Sequence, residues 1–170
     1  MILLNIGSNL SSIFGNRFKN IKRAIGLLNL EEIKIIKESN FYETPSYPNK
    51  ELPKFVNICL EVKCDFTSII LLKKIKKIEK KMFRKKNGLN NPRTCDIDII
   101  DFHGQVLNNK ELNLPHPRLN KRNFVLYPLF QIHPNWKHPI TNEKIDVLIR
   151  KLSAESRNEI TRLNETDIIN

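Results

Sequence analysis

The chain reads Asn91-Pro92-Arg93-Thr94-Cys95-Asp96-Ile97-Asp98-Ile99-Ile100 at the point that decides its fold. Apolar residues alternate with two acids there, a pattern typical of a buried strand. Because successive side chains of a strand point to opposite faces, Asp96 and Asp98 share one face. The alternate positions are expected to fill the core: Cys95, Ile97 and Ile99. The stretch therefore predicts a core strand with an acid pair on its second face.

The acid pair needs a positive partner, because neighbouring carboxylates repel each other and lose hydration on burial. Magnesium fits best, since this hard cation prefers oxygen ligands. Arg93, just before the pair, can hold a phosphate through two parallel hydrogen bonds. Together these residues predict phosphoryl-type chemistry. The alternative is a pair of exposed acids on an edge strand, and the apolar run Ile97–Ile100 argues against it.

Outward from this strand, hydrophobic periodicity predicts the order β-α-β-β-α-β with a C-terminal addition. The predicted strands are Ile2–Ile6, Ile33–Phe41, Lys54–Lys63 and Thr94–Phe102. The predicted helices run from Asn16 to about Leu28, from Asp65 or Thr67 to about Met82, from Asn123 to Ile132 and from about Asn142 to Leu152. A short strand pair near 105–107 and 112–114 precedes the third helix.

This order is that of an α+β, ferredoxin-like fold, with one antiparallel sheet and two helices on one face. The side of the third strand expected to meet those helices carries Val56, Ile58, Leu60 and Val62. The opposite face is expected to carry Phe55, Asn57, Asp96 and Asp98, roofed by loops and by the C-terminal hairpin and helices. Residues 1–160 are expected to form a single domain, and residues 161–170 a frayed tail.

Composition narrows the classes of function. A chain of 170 residues is long enough for one domain with a substantial core. No apolar segment is long enough to span a bilayer, so no membrane partner is expected, and Met1–Leu10 does not resemble a signal peptide. Cys59, Cys64 and Cys95 form no C-x-x-C pair and indicate reduced thiols in a cytoplasmic protein.

The net charge of +11 allows a nucleic-acid interpretation. The basic residues are spread along the chain, however, and joint enrichment in Lys, Asn and Ile is the bias of an AT-rich genome. An RNA-binding ferredoxin-like domain also needs an aromatic signature that is missing here, and Asp96 and Asp98 would repel phosphate. We therefore expect no nucleic-acid partner. The positive charge would help attract an anionic substrate such as ATP.

Two further groups are candidates for a binding site. Asn57 with Phe55 suits a flat heterocycle, which an aromatic ring can stack on and an amide can read at its edge. The alternative is a surface Asn beside a half-buried Phe, and Phe124 can simply belong to a helix core. Glu79 can turn toward the acidic strand or form an ordinary ion pair with Lys76 or Lys80.

His116, held between two prolines, can donate to a phosphate oxygen or serve only as a turn residue. Arg118 and Arg122 flank the same loop and can line an anion site. The four histidines have no zinc-ligand spacing. The chain has neither a G-x-x-x-x-G-K loop nor a G-x-G-x-x-G loop, so a nucleotide would be held by side chains and metal.

Six segments, in order, resemble the 6-hydroxymethyl-7,8-dihydropterin pyrophosphokinase family of folate biosynthesis. They are Asn5-Ile6-Gly7-Ser8-Asn9-Leu10; Phe41-Tyr42-Glu43-Thr44-Pro45; Phe55-Val56-Asn57; Ile78-Glu79; Pro92-Arg93-Thr94-Cys95-Asp96-Ile97-Asp98; and Leu114-Pro115-His116-Pro117-Arg118 with Arg122–Leu129. The combination of P-R-T-x-D-x-D with P-H-P-R is highly specific. The resemblance covers Ile2 to about Trp136.

The resemblance implies transfer of diphosphate from ATP to the pterin hydroxymethyl group, with release of AMP. Asp96 and Asp98 would hold two magnesium ions, and Arg93 and Arg84 would complete the catalytic set. The residues implied to bind ATP are Glu79, Arg93, His116, Arg122 and Lys86. Those implied to bind the pterin are Thr44, Pro45 and Asn57 at its edge, Phe55 and Phe124 on its faces, and Tyr47 nearby. A monomer is expected.

The chain departs from the family pattern in one region. Where the family usually has Gly-Arg-x-Arg, this chain has Phe83-Arg84-Lys85-Lys86, and Asn90-Asn91 replaces an aromatic-Gly pair. Lysine keeps the charge of arginine without its bidentate fork. In the family this loop closes over the site. A drifted but active enzyme is the interpretation preferred here, and a catalytically impaired remnant that binds pterin or ATP is the alternative.

Overall fold

The structure, a computed structural model, describes residues 1–84, 91–164 and 167–168. Its main sheet has six strands in the order β5-β1-β4-β3-β8, with β2 also paired to β4, and every pairing is antiparallel. The strands are β1 (Ile2–Ser8), β2 (Lys34–Glu38), β3 (Tyr42–Thr44), β4 (Phe55–Lys63), β5 (Asp96–Phe102) and β8 (Thr161–Arg162). A separate hairpin joins β6 (Leu107–Asn108) to β7 (Asn113–Leu114).

Helices cover both faces of this sheet. The two long helices, α1 (Arg17–Leu30) and α2 (Ser68–Lys81), pack on one face, and α3 (Asn123–Ile132) and α4 (Ile145–Arg150) pack on the other. A short α5 (Ala154–Asn158) follows. Asn16 caps α1 by accepting from the Lys19 amide at 3.1 Å. Thr67, rather than Asp65, caps α2. The predicted ferredoxin-like α+β fold is confirmed.

Alternation along the strands produces two hydrophobic cores. The core under α1 and α2 takes the predicted set Val56, Ile58, Leu60 and Val62, together with Cys95, Ile97 and Ile99. The second core, under α3 and α4, takes the intervening positions Leu3, Cys59 and Ile100. No helix among the described residues is long and apolar enough to cross a bilayer.

The predicted strand Ile33–Phe41 corresponds to β2, which ends earlier than predicted, at Glu38, and the separate strand β3 begins only at Tyr42. The residue after β2, Ser39, is buried. The Ser39 hydroxyl accepts the Cys59 amide at 2.9 Å, and the Ser39 amide donates to the Cys59 carbonyl at 3.0 Å. A side-chain oxygen therefore replaces a backbone carbonyl at this point, and the ladder is interrupted.

The segment from residue 161 is not a frayed tail at its start. Thr161–Arg162 forms β8 on the edge of the sheet, paired with Tyr42–Glu43 of β3. The Leu163 amide donates to the Phe41 carbonyl at 2.9 Å, and the Leu163 side chain enters the core under α1 and α2. The predicted helix from Asn142 to Leu152 is shorter than expected, because Asn142 has a φ of 55° and the regular helix begins at Ile145.

Candidate active site

Gly7 lies at the centre of the site, in a row of residues that crosses three strands. It pairs with Asn57 of β4 on one side and with Asp96 of β5 on the other. Residues directly opposite one another in an antiparallel sheet point to the same face. The row therefore places the Asn57 amide and the Asp96 carboxylate on one face, separated by a residue without a side chain.

Four cationic or ring nitrogens surround the acid pair. Arg84 and Arg93 approach the two oxygens of Asp96, at 2.6 Å and 2.7 Å. Arg122 lies 3.1 Å from Asp98, and the His116 Nε2 atom lies 3.9 Å from it. These contacts bring together the end of α2, the start of β5 and the segment before α3. The predicted cluster of acids and phosphate-binding groups is thus assembled in one place.

Burial and mutual repulsion shape the electrostatics of the pair. Burial raises the pKa of the Asp96 carboxyl, the charge of Asp98 raises it further, and Arg84 and Arg93 oppose both effects. For Arg84, burial alone would lower the pKa, but the nearby Asp96, Glu79 and Asp98 outweigh it and raise the pKa. Both pKa shifts have the same origin. Two partly buried carboxylates lie close together, and the positive charge of the arginines beside them stabilises their ionised forms.

His116 presents its Nε2 atom to Asp98 and Arg122. Burial lowers the pKa of its imidazole, although Asp98 opposes this shift. The Arg118 amide donates to His116 Nδ1 at 3.2 Å, so Nδ1 acts as an acceptor and the ring proton belongs on Nε2. That nitrogen faces Asp98 and Arg122. The predicted phosphate-binding role of His116 stays a prediction.

Glu79 turns toward the acidic strand and also forms the ion pair with Lys76 that was the alternative. Its side chain is 4% exposed, and one oxygen accepts the Ile97 amide at 2.9 Å. The same carboxylate binds the Arg84 guanidinium, and it also pairs with Lys76 at 2.8 Å, as the alternative expected. Glu79 therefore holds Arg84 and the start of β5 in place. Its predicted contact with the nucleotide stays a prediction.

The oxygen ligands present here suit a hard divalent cation. Asp96 and Asp98 offer carboxylates on one face, and their repulsion favours a cation between them. Among residues 1–84, 91–164 and 167–168, no cluster of three or more His, Cys, Asp or Glu side chains could hold a metal ion alone. Any magnesium bound here would take its remaining ligands from substrate phosphates and water, as this ion commonly does.

The other half of the row is aromatic and amide in character. The ring of Phe55 lies 5.7 Å from the Arg93 guanidinium, and the ring of Phe124 lies 5.3 Å from that of Arg122. Asn57 is 3% exposed, and its Nδ2 atom has no hydrogen-bond partner among the described residues. A buried donor without an acceptor is costly, by about 1–3 kcal/mol. A ligand with an acceptor at its edge would remove that cost.

The remaining predicted pterin residues lie at the end of β3. Thr44 is buried and pairs with Phe55 across the ladder, and Pro45 follows it. Tyr47 is 81% exposed, so its side chain lies in solvent here rather than within the site. Lys86, predicted to bind ATP, lies outside the described residues, as does Asn90.

Two asparagines were missed as parts of the site. Asn9 accepts the Arg93 amide at 2.7 Å and donates to the Pro53 carbonyl at 3.0 Å, which ties the start of the acidic stretch to the loop before β4. Asn5, with its amide nitrogen turned toward two backbone carbonyls, donates to those of Ile58 and Phe124 at 3.1 Å each. A polar residue inside the apolar strand β1 was the available signal for Asn5.

This fold and site define a class of protein: an α+β domain in which an acid pair beside three arginines adjoins a pocket lined by aromatic rings and a buried amide. The model of the 7,8-dihydro-6-hydroxymethylpterin-pyrophosphokinase (HPPK) family matches residues 3–134. The chain belongs to this family, and the resemblance carried by its motifs is confirmed.

Named relatives agree with this membership. The chain is 40% identical over 139 residues to the 2-amino-4-hydroxy-6-hydroxymethyldihydropteridine pyrophosphokinase of Aquifex aeolicus, covering 82% of this chain and 84% of the relative. It is 30% identical to the Bacillus subtilis protein of that name, covering 83% of each. It is 32% identical to the folic acid synthesis protein fol1 of Schizosaccharomyces pombe, covering 98% of this chain but only 22% of that longer protein.

A solved structure shows the same fold. The crystal structure of Plasmodium falciparum HPPK-DHPS A437G with pteroate superposes with a TM-score of 0.70 at 19% identity. The match covers 95% of this chain and 46% of the Plasmodium chain, so this chain spans less than half of that protein.

Proposed function

We propose that this protein transfers diphosphate from ATP to 6-hydroxymethyl-7,8-dihydropterin, giving the pterin diphosphate and AMP, in folate biosynthesis. The observation that carries the proposal is the row across three strands. Gly7 separates an unsatisfied amide, suited to a pterin edge, from a carboxylate beside two arginines. Each half matches one substrate, and the row brings the two halves together on one face. Family membership supports the same reaction.

In this reaction the hydroxymethyl oxygen of the pterin attacks the β-phosphorus of ATP. The bond from that phosphorus to the oxygen bridging it to the α-phosphate breaks, AMP leaves with the bond electrons, and the hydroxyl proton passes to solvent. Asp96 and Asp98 would hold magnesium, which would neutralise phosphate charge when bound. Arg84, Arg93 and Arg122 would bind phosphate oxygens, and His116 would donate from Nε2.

The pterin would stack against Phe55 and Phe124, with its edge read by Asn57, Thr44 and Pro45. Its acceptor would pair with the unsatisfied Asn57 Nδ2 atom. No covalent intermediate with the protein is proposed, so catalysis would come from alignment of the two substrates and from charge neutralisation. ATP as co-substrate agrees with the family. Two magnesium ions, a contact with Tyr47, a monomeric state and a cytoplasmic location stay predictions.

The proposal is tested by product analysis. The protein is incubated with ATP, magnesium and 6-hydroxymethyl-7,8-dihydropterin, and pterin-dependent AMP is measured by chromatography. We expect stoichiometric AMP and pterin diphosphate. Tight pterin binding without AMP would instead show that the protein is the catalytically impaired remnant. That alternative was suggested by the departures from the family pattern after α2.

A substitution of Asp98 tests the proposed role of the acid pair in binding magnesium. Asp98→Asn removes one carboxylate charge but keeps shape, and we expect kcat to fall about 10²- to 10³-fold. The Kd for the pterin alone, measured by fluorescence titration, should stay unchanged. An Asp98→Asn variant with wild-type kcat would contradict the proposed role.

A further inference from the structure

Phe83 occupies a backbone conformation that usually calls for glycine. Its φ is 58°, in the left-handed region, directly after the C-cap residue Met82 of α2. The Phe83 amide donates to the Lys80 carbonyl at 3.0 Å, and the Arg84 amide donates to the Glu79 carbonyl at 3.1 Å. These two bonds form a Schellman motif, whose left-handed residue is most often glycine. Glycine is also the residue that the family resemblance leads one to expect here.

The Phe83 ring is anchored on a neighbouring turn. Its centroid lies 5.8 Å from that of Phe14, with the two planes at 30°. Phe14 belongs to the turn closed by two backbone bonds between Ser12 and Gly15, and its amide donates to the Ser12 hydroxyl at 3.0 Å. The Arg23 guanidinium lies 5.4 Å from the centre of the Phe14 ring. Phe14 itself packs against the core under α1 and α2.

The residue after Phe83 is the catalytic candidate Arg84. The Schellman motif turns its backbone toward Glu79, whose carboxylate binds the same guanidinium that contacts Asp96 at 2.6 Å. From the other side, the Thr94 hydroxyl donates to the Met82 carbonyl at 2.7 Å. The chain at residues 82–84 is therefore held between β5, α2 and the turn at 12–15.

We propose that the aromatic pair Phe14–Phe83 positions Arg84 on Asp96. In this chain, packing of the two rings would restrain the backbone where the chain leaves α2. The same packing would offset the strain of phenylalanine at a positive φ. The inference rests on the proposed role of Arg84 in phosphate binding. Phe14 and Phe83 are positioning residues, since neither touches the acid pair in the contacts described above.

The test uses Phe83→Gly, Phe14→Ala and their combination. Glycine at position 83 accepts the positive φ without strain, so the helix end should be preserved while the ring contact is lost. We expect each single variant to lower kcat by about three- to tenfold, because small displacements of a catalytic group are costly. The double variant should be no slower than the slower single variant, as expected for two residues acting through one contact. The KM for the pterin should not change.

Three controls separate positioning from general stability. Ile13→Ala alters the same turn at a side chain that is 80% exposed, and should leave kcat unchanged. Phe14→Leu should fold even if Phe14→Ala does not, and should still lower kcat. In an Arg84→Lys background, which is itself expected to be slower, Phe83→Gly should have a reduced effect. The thermal midpoint is measured for every variant.

Wild-type kcat in Phe83→Gly would overturn the proposal. Additive losses in the double variant would also overturn it, as would an undiminished loss in the Arg84→Lys background. Failure of the proposed function looks different, because the wild-type protein would then make no AMP. In that case the Kd for magnesium-ATP, measured by calorimetry, tests whether Phe83 positions Arg84. Weaker binding in Phe83→Gly supports the positioning role, and unchanged binding overturns it.

Discussion

At the scale of single residues, Gly7 is required by space rather than by backbone conformation. A Cβ atom at this position would lie 2.6 Å from Asn57 Oδ1 and 3.6 Å from a ring carbon of Phe55. The first distance is too short for any real contact. A side chain on β1 would therefore displace the amide that is proposed to read the pterin edge.

Gly7→Ala should weaken pterin binding and leave the phosphate half of the site intact. An overpacked position costs about 1–3 kcal/mol, which corresponds to about a five- to 150-fold rise in the pterin Kd. Fluorescence titration measures this Kd, and calorimetry measures the Kd for magnesium-ATP, which should not change.

Gly26→Ala is the matched control, because its Cβ would meet open space on α1. It should leave both constants unchanged and stabilise the fold by about 0.5–1 kcal/mol. Wild-type pterin affinity in Gly7→Ala would contradict the proposed pocket.

At the scale of elements, Glu31 joins the end of α1 to α2. Its carboxylate lies within 2.9–3.3 Å of three lysines of α2, namely Lys77, Lys81 and Lys74. Hydrogen bonds from these ammonium groups, that of Lys77 foremost, lower the pKa of Glu31 from 4.5 to about 2. The lysine-rich face of α2 is therefore partly organised around one acid.

Glu31→Gln should destabilise the protein in a pH-dependent way. Because folding lowers this pKa, the ion pairs contribute their full stability above about pH 4.5, and the contribution is lost as the pH falls toward 2. Thermal midpoints of wild type and variant should differ at pH 7 and converge as the pH approaches 2. Glu32→Gln, at the exposed next residue, should show no such gap. A gap that does not depend on pH would contradict this account.

The last strand should contribute measurably to stability. Leu163 is 9% exposed in the core under α1 and α2, so Leu163→Ala should lower the free energy of unfolding by about 2 kcal/mol. Urea denaturation measures the change. Leu30→Ala removes the same atoms from a side chain that is 78% exposed, and should cost less than about 0.5 kcal/mol. Equal effects of the two substitutions would mean that the segment after α5 does not hold its place in solution.

At the scale of the whole molecule, the net charge of +11 produces a field that attracts anions. ATP is strongly anionic, whereas the pterin is neutral. The acid pair and the arginines act at short range, but the general excess of lysine acts over distances that salt screens.

Salt should therefore affect the two substrates differently. Between about 0.05 M and about 0.5 M NaCl, the Debye length falls severalfold, and we expect the KM for ATP to rise about three- to tenfold. The KM for the pterin, measured in the same steady-state assays, should change by less than about twofold. Equal shifts for both substrates would indicate a general effect of salt on folding or turnover, and would remove the argument for electrostatic attraction.

The amino-acid sequence by itself determined the order of the main elements, without β3, α5 and β8, and the face on which each residue of the predicted strands lies. Strand Lys54–Lys63 was predicted almost to the residue, and β4 runs from Phe55 to Lys63. The acid pair was visible for the same reason, since period-two alternation is a property of a few consecutive residues. The motifs in addition indicated the family.

Only the tertiary structure decided how distant residues act on one another. Asn9 holds the backbone of Arg93 across 84 residues of chain, and Glu79 accepts the Ile97 amide at the start of β5. Phe83 has a positive φ, and its ring packs against that of Phe14, a contact that no local sequence pattern predicts. Such contacts depend on strand register and loop closure, which result from the balance of the whole fold. Local periodicity carries no information about either, so the partners of these residues had to be seen in three dimensions.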